Sequence, residues 1–180
     1  MKFNFKRYFN QIRLQKYYNN SVINKLNNIA NIVKKLGNKK ILIFGNGGSS
    51  AIASHFALDL SNCTNIRCLN FADASMITCF ANDYGYQNWI KRTLEIHADN
   101  GDVLFLISSS GKSKNILNAC KKIKKVKFKK IITFSGFKKN NALYKSGNIN
   151  LHVNSTNYNI IENIHQIWLL TLVESLKTNE

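Results

Sequence analysis

The feature that most constrains this chain is a series of five short apolar runs, spaced along the sequence with helical patterns between most of them. The runs are Lys40–Phe44, Ile66–Phe71, Val103–Ser108, Lys130–Phe134 and Ile149–Val153. Between them, apolar residues recur at three- and four-residue steps over Ser50–Leu60, Gln87–Ile96 and Ser113–Lys124, and a last helical pattern spans Ile160–Leu176. A run such as Ile41-Leu42-Ile43-Phe44 suits a strand covered on both faces. Alternation of such strands with helices predicts a five-stranded parallel sheet, and right-handed crossovers make it a three-layer α/β/α sandwich. In sheets of this kind ligands bind beyond the carboxyl ends of the strands.

Ahead of the first strand, Phe5–Leu36 carries helical periodicity (Tyr8, Ile12, Val22, Leu26, Ile29, Val33), and Gly37 is its stop. This segment reads as one or two amphipathic helices that cover either the core of their own chain or a partner's surface. No linker or repeat interrupts the 180 residues. The expectation is therefore one domain over 1–180, with a helical segment at 1–37 and the α/β core at 38–180. Apolar stretches fall well short of the roughly 18 to 20 residues that cross a bilayer. The start, MKFNFKRYFN, lacks the apolar stretch of a secretory signal. Cys63, Cys68, Cys79 and Cys120 form no CxxC pair. Both observations point to reduced thiols and a cytoplasmic protein.

Charge bears on partners. Lys and Arg number 26 against 9 Asp and Glu, giving a formal +17. Such a balance suits a polyanion. Only four of the 26 are Arg, however, while asparagine reaches 27 and proline is absent. Codon bias accounts for a Lys-, Asn- and Ile-rich composition better than a nucleic-acid partner does. The expectation is no specific nucleic-acid binding, with a positive field that draws small anions.

Two loops carry the chemistry. The first strand runs into Gly45-Asn46-Gly47-Gly48-Ser49-Ser50 and then a helix. Glycines there let the backbone approach a ligand, and a helix start offers unpaired N–H groups. The spacing is neither GxGxxG nor a P-loop, which argues against a nucleotide cofactor. The third run leads into Ser108-Ser109-Ser110-Gly111-Lys112-Ser113 at another helix start. Hydroxyls and backbone N–H groups together can surround a phosphate.

In order, Gly45-Asn46-Gly47-Gly48-Ser49, His55-Phe56-Ala57, Ala81-Asn82-Asp83-Tyr84-Gly85, Gly101-Asp102-Val103 and Ser108-Ser109-Ser110-Gly111-Lys112-Ser113 resemble the sugar isomerase (SIS) fold, and within it the phosphoheptose isomerase group. The resemblance spans about residues 5 to 176. It implies that Ser108, Ser109, Ser110 and Ser113 hold a sugar phosphate. Asn46, Gly47, Gly48 and Ser49 would line the sugar, with Asn82 and Asp83 nearby, and the chain would assemble as a dimer or tetramer through its N-terminal helices.

The same resemblance supplies the catalytic expectations. In phosphoheptose isomerases one helix carries a His and, four residues on, a Glu; a C-terminal helix carries a Gln and, eight residues on, a His. These groups bind zinc and move protons. This chain has His55 and Asp59 at the first pair, Glu162 at the Gln position, and Leu170 where the second His would fall. His165 matches a further His of the group. The catalytic candidates are thus His55, Asp59, Glu162 and His165, expected to meet beside the sugar, and the zinc-type ligands would be His55, Asp59 and Glu162. Two readings stay open. One is a divergent isomerase acting on a seven-carbon sugar phosphate for a surface heptose in lipopolysaccharide or capsule. The other is a binding or regulatory protein like the group's replication-initiator-associating relative. Acidic residues at 59 and 162 keep ionisable groups where decay would leave apolar ones, which favours the enzyme.

Overall fold

The structure, a computed structural model, describes residues 5–121 and 126–177, with side chains from residue 8 onward. The end of the helix expected to reach Lys124, together with Lys122, Lys124 and Lys125, lies outside the described residues.

Five strands form one parallel sheet in the order β2-β1-β3-β4-β5: β1 Ile41–Phe44, β2 Cys68–Leu69, β3 Val103–Ser108, β4 Lys130–Ser135 and β5 Ile149–His152. The second run is far shorter as a strand than Ile66–Phe71 suggested, because only two residues pair with β1. All of β1 and β3 is buried, as their unbroken apolar runs require. Alternate residues feed two cores. Ile41, Ile43, Val103, Phe105 and Ile107 face one layer of helices, and Leu42, Phe44, Leu104 and Leu106 face the other.

The first layer holds α2 (Asn20–Lys34), α3 (Gly48–Cys63) and α7 (Tyr158–Leu176). Phe56 of α3 stacks on Phe105 at 5.6 Å between ring centres. The second layer holds α5 (Trp89–His97) and α6 (Lys114–Lys121), with Trp89 edge-on to Phe44 at 5.9 Å. Asparagine and aspartate side chains set three helix starts. Asn19 accepts from Val22 N–H, Asp73 from Ser75 and Met76, and Asn157 from Ile160.

The N-terminal segment divides into α1 (Phe5–Gln11), a single 3₁₀ turn at Leu14–Lys16, and α2. Ile29, Ala30 and Val33 of α2 are buried in the sheet's own core, so this face covers its own chain. One helix was not legible in the periodicity: α4 (Ala74–Tyr84) has no buried residue. It meets the second core only through the partly buried Ile77 and Phe80. At the amino ends of β1 and β3, the fully buried Asp102 carboxylate takes the Lys40 and Asp99 backbone N–H groups at 3.1 and 2.8 Å and the Lys40 ammonium at 2.7 Å. No described helix is long and apolar enough to cross a membrane.

Candidate functional site

Both motif loops emerge at the carboxyl end of the sheet, from the neighbouring strands β1 and β3. Gly47 opens α3 with φ +54° and ψ −126°, a backbone state that a residue with a Cβ rarely adopts. The serine loop leaves β3 through Ser108, which is almost fully buried. Ser108 Oγ and Ser113 Oγ share a hydrogen bond of 2.9 Å, and Ser110 Oγ accepts the Lys112 N–H at 3.2 Å.

The two loops are tied to each other. Asn46 Nδ2 donates to Asn115 Oδ1 at 3.0 Å, and Asn115 Nδ2 donates back to Asn46 Oδ1 at 2.8 Å. Tyr86 adds its hydroxyl to Asn46 Oδ1 at 3.1 Å. Behind them, Gly136 N–H donates to Ser109 O at 2.8 Å, and Leu143 N–H to Gly111 O at 3.1 Å.

Between the loops lies a cavity of about 130 Å³ lined by Asn46, Ser49, the four serines of the second loop, Tyr158 and Glu162. Ser109 Oγ is buried and makes no hydrogen bond of good geometry among the described residues. A buried hydroxyl facing a cavity of hydroxyls suits a polar ligand, because a buried polar group left unpaired costs about 1 to 3 kcal/mol. A second, wider cleft of about 360 Å³ runs between α3 and α7, with His55, Asn159, Glu162, Asn163 and Gln166 on its walls. Glu162 is common to both spaces.

Glu162 reaches this place because Gly48 has no side chain. Its carboxylate occupies the space that a Cβ on Gly48 would need. Burial pushes the Glu162 carboxyl above its usual range, and the Ser109 hydroxyl acts in the opposite direction from just outside hydrogen-bonding geometry. His55 sits one turn before Asp59, with Nε2 3.0 Å from Asp59 Oδ2. Gln166 Nε2 lies 3.4 Å from His55 Nδ1. If the amide donates to Nδ1, the His55 proton sits on Nε2 and points at Asp59; this tautomer is assigned from the hydrogen-bond network.

The expected quartet does not assemble as a whole. His55, Asp59 and Glu162 lie on the α3–α7 side, whereas His165 is fully buried in the core, edge-on to Phe134, with Nε2 donating to Ser135 O at 3.2 Å. Three residues turn a helix by about 300°, which leaves Glu162 and His165 some 60° apart on α7 and is enough to send one to the cleft and the other to the sheet. Burial drives the His165 imidazole down to about 4. Asn82 and Asp83 are exposed at the end of α4, bonded to each other at 3.0 Å, and line neither space.

A zinc ion held within one chain by His55, Asp59 and Glu162 does not fit this geometry. Among the described residues no three His, Cys, Asp or Glu side chains converge as a metal site. His55 and Asp59 meet each other, while the Glu162 carboxylate is packed on Gly48. Sequence reasoning missed Gln166, Asn115, Tyr86 and Tyr158. Gln166 was findable, since it lies four residues past Glu162 on the same helix face.

The SIS domain family matches residues 7–136. A phosphoheptose isomerase of Campylobacter concisus is 35% identical over 144 residues, covering 77% of this chain and 75% of that protein. One from Cytophaga hutchinsonii is 42% identical over 110 residues, covering 58% and 56%. Among solved structures, a phosphoheptose isomerase from Francisella tularensis superposes with a TM-score of 0.84 at 28% identity, over 95% of both chains. The Neisseria gonorrhoeae phosphoheptose isomerase has the same fold, with a TM-score of 0.80 at 24% identity over 87% of both chains.

Proposed function

The chain belongs to the SIS domain family and, within it, to the phosphoheptose isomerases, and from that premise we propose that it interconverts the ketose and aldose forms of a seven-carbon sugar phosphate. It is a sugar-phosphate isomerase. The finer reading is that its substrate is sedoheptulose 7-phosphate and that its product feeds the synthesis of a surface heptose. It would act in the cytoplasm as a dimer or tetramer.

The observation that carries the reading is Glu162 at the junction of the two spaces. A phosphate held by the serine loop would leave the carbon chain to pass Glu162 and enter the α3–α7 cleft. Isomerisation removes the proton from the hydroxyl-bearing carbon beside the carbonyl and passes through an enediol. It ends with a proton delivered to the former carbonyl carbon. Glu162 takes the first proton and returns it one carbon along. Its carboxylate is a stronger base for being half-buried. His55, oriented by Asp59 and Gln166, gives a proton to the carbonyl oxygen as the enediol forms and takes one back from the neighbouring hydroxyl, whose oxygen becomes the new carbonyl. The serine loop and the first turn of α3 hold the phosphate end while the charge moves. The test is incubation of the purified protein with sedoheptulose 7-phosphate, followed by NMR. An aldose 7-phosphate is expected; tight binding without any turnover would overturn the reading.

A further inference from the structure

We propose that the cleft between α2 and the edge strand β5 is a second anion site, built for a small phosphorylated metabolite. It rests on geometry away from the isomerase site and does not depend on that reading. The cleft encloses about 400 Å³, enough for a metabolite-sized ligand, and shares no lining residue with the spaces around Glu162.

Its charge is one-sided. Lys16 from the 3₁₀ turn, Lys25 from α2 and Lys139 from the β4–β5 connection line it, and among the described residues no Asp or Glu does. Three lysine side chains around one recess favour an anion between them. Lys25 is held in place: Nζ donates to Asn150 O at 2.8 Å and sits 5.9 Å from the centre of the Tyr144 ring. Two of its three donors remain for a ligand. His152 also lines the wall, half-buried beside the backbone of Gly136, Phe137 and Lys138. The recess continues past Lys16, Tyr17 and Asn154 into a hollow of about 540 Å³, so a ligand longer than a bare phosphate has room. The lysines gather round a half-open recess rather than along an open stripe, which favours a small molecule over a nucleic-acid backbone.

The site is connected to the serine loop. The segment that supplies Lys139 and Tyr144 is the one whose Gly136 and Leu143 N–H groups donate to Ser109 O and Gly111 O. An occupant of the cleft bears on the phosphate loop through those two bonds.

The experiment is calorimetric titration of the full-length protein with inorganic pyrophosphate, ADP and glucose 6-phosphate in separate arms. A Ser108→Ala/Ser110→Ala background weakens the serine loop, so that the cleft's own binding stands out. At least one anion is expected to bind there, and the tightest arm identifies the source of the phosphate. Lys16→Ala/Lys139→Ala, both exposed positions, is expected to weaken that binding about tenfold or more. Lys34→Ala/Lys35→Ala, which removes the same charge elsewhere on α2 and its end, leaves it nearly unchanged. The Trp168 indole N–H, which donates to Tyr17 O beside the cleft at 3.0 Å, should shift in NMR spectra while that of Trp89 does not. No binding by any of the three anions in the serine-loop variant, or equal weakening by both lysine pairs, overturns the proposal.

Discussion

Replacing Glu162 with Gln tests the proposed mechanism at its base. Glutamine keeps the length and nearly the volume of glutamate, so the packing on Gly48 and the walls of both spaces persist. What disappears is a group able to take a proton from carbon. General-base catalysis contributes about 10²- to 10⁴-fold, or roughly 3 to 5 kcal/mol of barrier. The expected result is a kcat lower by that factor, with sugar-phosphate affinity within about threefold of wild type. Turnover is followed by NMR and affinity by calorimetry. The pH profile supplies an independent check. The base works only when ionised, so activity is present above its folded pKa and is lost as pH falls through it. Because burial raises the Glu162 carboxyl, that acidic limb should stand at higher pH than an exposed glutamate would give. Gly48→Ala reaches the same group from the other side, since the new methyl displaces the carboxylate while leaving the charge in place. Full activity in Glu162→Gln would refute the reasoning outright. Equal large losses in Asp59→Asn and Glu162→Gln would refute the division of labour between them.

Three further outcomes are expected. Ser108→Ala/Ser110→Ala should weaken sugar-phosphate binding by about 1 to 3 kcal/mol, read by calorimetry on a variant whose circular dichroism is unchanged. Asp102→Ala should cost about 3 to 5 kcal/mol of stability in urea, because it leaves the Lys40 ammonium buried without that partner; a loss under 1 kcal/mol would mean that Asp99 compensates fully. His165, lowered by burial from 6.5 to about 4, binds its proton in the unfolded chain before the folded one. It therefore contributes stability that is fully present above pH 6.5 and is lost toward pH 4, about 3 kcal/mol in all. A His165→Gln variant should show a flatter dependence of melting temperature on pH over that window, and a kcat near wild type.

The architecture was legible because β1 and β3 are buried on both faces and so consist of unbroken apolar runs ending in glycine or serine. Those endings also marked the ligand loops. Helix α4 escaped because only partly buried side chains, Ile77 and Phe80, tie it to the core, and β2 was overestimated because Ile66 and Phe71 pack as partly buried side chains without joining the ladder. At the site, the i and i+4 rule placed His55 beside Asp59 correctly. The i and i+3 rule failed for Glu162 and His165, since 60° on a helix pressed against a sheet separates the cleft from the core. Contacts between distant segments, such as Asn46 with Asn115 or Glu162 with Gly48, leave no periodic trace and needed the fold to be seen.

The reciprocal amide pair of Asn46 and Asn115 turns two loops into one part. Each loop alone would have to be frozen when a sugar phosphate arrives, at about 1 to 2 kcal/mol per ordered residue. Joined head to tail, they surrender that freedom once, during folding, and meet the ligand already set. The same joint limits how the protein can change. A serine loop transplanted from a relative would arrive with its own α6, and without an amide at the position of Asn115 it would leave Asn46 half-satisfied. The glycine loop and the serine loop are thus inherited as a unit, and an exchange of specificity between such enzymes has to carry both.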